Sequence, residues 1–126
     1  MYTRQPTTAE LACTARDMVE QLERATGQDP RALTVSRVHD TTGALAELVE
    51  MLPLILERLA EALEMRAGES ASQSDDAEGL RAAAFAASGA LRTGGQSSHT
   101  LARQLDQSCA QMKGVVDKAP QPRSRA

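Results

Sequence analysis

Aromatic residues are almost missing from this chain: its 126 residues include no tryptophan, one tyrosine, Tyr2, and one phenylalanine, Phe85. β-Sandwich and barrel cores are built on aromatic and β-branched strands, so that class is set aside and an all-α fold with Leu, Ala, Val and Met contacts is expected. The same scarcity removes the stacking platforms on which bases and flavins rest. Cysteine is scarce too, and Cys13 and Cys109 make no disulfide framework, reading instead as thiols of a reducing compartment. Neither His39 nor His99 has a second His or Cys three or four residues away, so a helical zinc set lacks its ligands and no metal is expected. Both histidines read as exposed polar residues.

Long apolar runs are absent. The strongest, Met51 to Leu56, lies between Glu50 and Glu57 and falls far short of the roughly 20 residues that span a bilayer. No basic segment followed by an apolar one opens the chain, so a soluble, cytoplasmic protein without a membrane contact is expected. Signatures of chemistry are missing as well. Gly94-Gly95 lacks the Gly-Lys-Ser/Thr of a phosphate-binding loop and follows no strand. On one helix His99 and Cys109 stand about 15 Å apart, too far for a nucleophile and its base. No catalytic residue, cofactor or metal site is therefore assigned, and an enzyme is not expected.

What the chain does carry is charge asymmetry and helical periodicity. The net charge of −3 combines a first part, residues 1–79, at −8 with a second, residues 80–126, at +5. Such opposed halves favour packing on one another, within a chain or between chains. Twelve arginines against two lysines, with abundant alanine, is the usage of a GC-rich, bacterial genome.

Helix signals mark three segments. Thr7 and Glu10 have capping-box spacing, Leu11, Ala15, Met18, Leu22 and Ala25 form a seam, and Gly27 suits a left-handed C-cap. Asp29-Pro30 reads as the start of a second helix, with a stripe of Val35, Val38, Thr42, Leu45, Leu48 with Val49, Leu52, Ile55 with Leu56, Leu59 and Leu63 running to Gly68. Gly43 offers a split that the continuous stripe argues against. Pro53 falls inside that stripe, where a kink is expected. Glu69 to Asp76 reads as a polar loop, with Asp75 or Asp76 capping the next helix. From there Leu80, Ala84, Ala87, Leu91, Gly94, Ser98, Leu101, Leu105, Ser108, Met112 and Val115 alternate steps of four and three, the spacing of a helix packed on a helix.

The resulting expectation is an antiparallel bundle of three or four helices with a long hairpin over about 30–66 and 77–118. Helix one packs across it. Residues 1–118 form one domain and 119–126 a disordered basic tail. A break at Gly94-Gly95 would give four helices, and continuity would favour a partner. The expected function is non-catalytic: helix–helix packing in a homo-oligomer, a dimer first, or in a regulatory or structural assembly. Its expected interface is Leu45, Leu48, Leu52, Ile55 and Leu59 with Leu80, Ala84, Ala87, Leu91, Leu101, Leu105 and Met112. One alternative is a DNA-associated regulator, since Arg81, Arg92 and Arg103 recur every 11 residues as a drifting basic stripe. Another is a small-molecule sensor with an apolar pocket at the Pro53 kink, lined by Met51, Leu52, Ile55 and Leu56. Glu50, Glu57 and Glu64, at seven-residue spacing, read as a solvated face.

Overall fold

The computed structural model describes residues 4–70 and 77–118. Within them the chain is all-α: α1 (Thr8–Gln28), a 3-10 turn (Pro30–Ala32), α2 (Val35–Ser70) and α3 (Ala77–Lys118). α2 continues through Glu69 and Ser70, where the polar loop is expected to have begun. The rest of that loop, residues 71–76 with both candidate caps, lies outside the described residues, as does the tail from Ala119.

α1 begins where its cap signal places it. Thr7 Oγ1 accepts the Glu10 amide at 3.1 Å, and Thr7 in turn donates to the Glu10 carboxylate at 3.2 Å. That carboxylate also pairs with Arg4. The C-terminus differs from expectation: helix continues through Gly27 to Gln28, and no described glycine has a positive φ. The second start signal is displaced as well. Asp29 caps the 3-10 turn, accepting from the Arg31 amide at 3.1 Å. Thr34 caps α2, its hydroxyl accepting from the Arg37 amide at 3.2 Å. Two caps in six residues make a hydrogen-bonded corner where one continuous start was expected.

α2 runs 36 residues unbroken through Gly43 and Pro53, and α3 runs 42 residues unbroken through Gly94-Gly95. Interior proline costs about 3 kcal/mol and each interior glycine about 1 kcal/mol relative to alanine, so packing must offset them. That packing is the antiparallel contact of α2 with α3. Its direction is set by two levels: Pro53 lies against Gly95, and His39 lies against Cys109, whose Sγ is 3.8 Å from the His39 carbonyl.

The seam is a strict seven-residue repeat on both helices. On α2 it comprises His39, Ala46, Pro53, Ala60 and Ala67 in one column and Thr42, Val49, Leu56 and Leu63 in the other; on α3, Ser88, Gly95, Ala102, Cys109 and Val116 accompany Ala84, Leu91, Ser98, Leu105 and Met112. Every one of these residues is buried or half-buried. The buried residues are small apart from Val49: Ala46, Ala60, Ala67, Ala84, Ser88, Gly95 and Ala102. A Cβ built on Gly95 would lie 3.5 Å from the Pro53 Cα, ordinary contact with backbone itself. The two helix axes therefore approach closely, with mostly small residues in one column and chiefly Leu, Val and Met, interspersed with Thr42, Ala84 and Ser98, in the other.

This corrects the expected registers by one residue. In α3 half of the expected seam, Ala84, Leu91, Ser98, Leu105 and Met112, does face α2. The other half shifts from Ala87, Gly94, Leu101, Ser108 and Val115 to the residue that follows each. In α2 the expected stripe is likewise half in place: its Thr42, Val49, Leu56 and Leu63 lie in the seam, whereas its Leu48, Ile55 and Leu59 are exposed and the other column is filled by residues such as the buried Ala46 and Ala60. The physical reason is that hydrophobicity marks Leu, whereas close approach selects Ala, Gly and Ser. α1 does not pack across the hairpin. None of its residues is buried, and only Leu22, toward its C-terminal end, is half-buried.

Candidate functional site

An antiparallel pair with a seven-residue repeat has two flanks, and here they differ completely. On one flank stand the residues that follow the large column of each helix: Glu50, Glu57 and Glu64 of α2, with Arg92, His99 and Asp106 of α3. Arg92 bridges two glutamates, its Nε donating to Glu57 at 3.0 Å and its terminal nitrogen to Glu64 at 2.6 Å. Those bonds, the one to Glu64 first, lift the Arg92 pKa above its ordinary value. The bond from Arg92 in turn holds the Glu64 carboxyl below the usual range, against desolvation. One heptad further on, Glu50 meets Asp106, and a hydrogen bond between the two carboxyls, together with Asp106's charge, raises the Glu50 pKa. The acidic row expected to be merely solvated is the polar border of the α2–α3 contact.

The opposite flank is apolar. It holds Leu45, Leu52 and Leu59 of α2, each one position before the small column, with Leu48 and Ile55 beside them. From α3 it holds Leu80, Ala87, Gly94 and Leu101. Leu48, Ile55, Leu59, Leu80 and Leu101 are exposed, and Leu45 and Leu52 half-buried. A shallow groove at one end, lined by Leu63, Arg66, Ala67, Leu80, Ala83, Ala84 and Ala87, sets Arg66, seven residues after Leu59, on the same side as Leu80 and Ala87.

The expected interface thus divides in two. Leu45, Leu48, Leu52, Ile55, Leu59, Leu80, Ala87 and Leu101 are brought together on this open flank. Ala84, Leu91, Leu105 and Met112 lie in the seam, where α2 already covers them. Of the basic stripe, Arg81 and Arg103 are exposed, whereas Arg92 is engaged by its two glutamates. The cleft at Pro53 is bounded by Glu57, Arg92, Gly95, Gln96, His99 and Thr100, a polar wall that includes none of Met51, Leu52, Ile55 or Leu56. His39 is half-buried at the end of the seam, a departure from its expected exposure, and His99 is exposed.

Among the described residues no group of three or more His, Cys, Asp or Glu could hold a metal ion, and no helix is long and apolar enough to cross a membrane. Cys13 and Cys109 are both free, and Cys109 is half-buried in the seam. What sequence reasoning missed is the pairing of the Glu row with Arg92, His99 and Asp106. A signal existed: Glu50, Glu57 and Glu64 recur with the same period as the Val49, Leu56 and Leu63 they follow. No protein-family model matches the chain, and neither do curated proteins or solved structures.

Proposed function

We propose that this protein is a non-catalytic helix-docking module whose apolar flank receives other helices. The observation that carries this reading is the asymmetry of the hairpin. One border is polar and bridged by Arg92 between Glu57 and Glu64, while the other leaves a file of Leu and Ile at seam spacing open to water. Isolated exposed Leu residues need no explanation, but a contiguous apolar face of this length on a helix pair marks an interaction site. Antiparallel hairpins that expose such a face complete bundles of four helices, each new helix filling the groove between two others.

The same face explains why the second seam of α2, Leu45, Leu48, Leu52, Ile55 and Leu59, keeps steps of three and four apart from the small column that meets α3. A helix that meets neighbours on two sides needs two stripes, and α2 carries both. Binding of an apolar fluorescent dye tests the reading. The wild-type protein, or its dissociated form, binds the dye at this face, and Ile55→Glu suppresses it. A compact monomer that never binds the dye and never associates would sink the reading.

A further inference from the structure

The open flank carries its own complement. On its α2 side it is a ridge of Leu48, Leu52, Ile55 and Leu59. On its α3 side it is a trough of Ala87, Ala90, Gly94 and Ser97, each exposed or half-buried. The two run at matching heights: Gly95 meets Pro53 and Leu56, and a Cβ on Gly94 would lie 3.7 Å from Leu56 Cδ1, which places Gly94 within a residue of the level of Ile55.

We infer that this flank is covered by the same flank of a second copy, through a two-fold axis that runs parallel to the helices. This rests on the docking reading above and names its partner. Rotation about such an axis preserves height and exchanges sides, so the α2 ridge of each copy lies in the α3 trough of the other. Ile55 then meets Gly94 of the second copy, and Leu59 meets Ala87 and Ala90. Every neighbouring pair in the four-helix core is antiparallel, and the contact is self-complementary, as a closed two-fold interface must be. An axis across the helices would set ridge on ridge and leave both troughs void, against the close packing of protein interiors.

Charge agrees. Neither the ridge residues nor the trough residues include a charged side chain, so closure buries no ion.

Light scattering after size exclusion tests this on the full chain, with twice 13.4 kDa as the expected mass. Ile55→Glu is expected to raise the dimer dissociation constant about 100-fold or more by burying an unpaired carboxylate. Ala90→Glu, an exposed site on the other helix, is expected to do the same and serves if the first variant fails to fold. Leu54→Glu stays dimeric: Leu54 is 54% exposed against 46% for Ile55, but it lies away from the ridge. A wild-type monomer at every concentration overturns the second copy as partner. If that monomer still binds the apolar dye in an Ile55-dependent way, the docking reading survives with a different helix as occupant. A dimer indifferent to both Ile55→Glu and Ala90→Glu, or one broken by Met18→Glu in α1, overturns the proposed face.

Discussion

Single residues set how closely the two long helices meet, and Gly95 is the tightest of them. Ordinary contact with Pro53 admits one methyl group and no more. Gly95→Leu is expected to cost about 1–3 kcal/mol by overpacking. By contrast Gly114→Ala, with nothing near its missing Cβ, is expected to stabilise by about 0.5–1 kcal/mol through helix propensity alone. Urea titrations of the two variants read both effects. The polar border makes opposed predictions about pH. Glu64 is lowered by Arg92, so its contribution is present above the ordinary carboxylate range and lost as pH falls through the lowered value. Glu64→Gln should therefore destabilise at neutral pH and converge with wild type in acid. Glu50 is raised by Asp106, so its contribution is present in acid and lost as pH rises through the raised value. Asp106→Asn should stabilise at neutral pH, with the gain vanishing on acidification. Melting curves across the carboxylate range distinguish the two signs.

At the scale of elements, the two long helices were legible and their registers only half so. Unbroken α2 and α3 follow from stripes that cross Gly43, Pro53 and Gly94 without losing phase. Caps were legible where side chain and helix start coincide, as at Thr7, and displaced where two short-range caps compete, as at Asp29 and Thr34. The seam itself was hidden because alanine contributes little to an apolar count yet permits the closest approach. Ala46, Ala60 and Ala102 are among the most buried residues, while Leu48 and Leu101 stand in solvent. The open flank was legible as a stripe, but its separation from the seam needed the one-residue shift that only the structure supplies. A direct check follows: Ala60→Leu, which adds apolar atoms, should destabilise the hairpin by about 1–3 kcal/mol. The opposite result would return the seam to the Leu stripe. Circular dichroism melts at fixed concentration measure it.

For the whole molecule, association and stability are coupled. If the flank is occupied by a second copy, the melting temperature rises with protein concentration for the wild-type chain and becomes independent of it in Ile55→Glu. α1 contributes little to that quantity, because Leu11 and Met18 of its seam already stand in solvent. Within the hairpin, each layer of the seam touches only the layers above and below it. The closing contacts also differ in the length of chain they enclose, from the Ala67 and Ala84 level near the connection to His39 with Cys109, which are 70 residues apart. Loop-closure entropy grows with that length. The hairpin is therefore a zipper tethered at one end, and amide exchange should be slowest beside the connection and quicken steadily toward the His39 end.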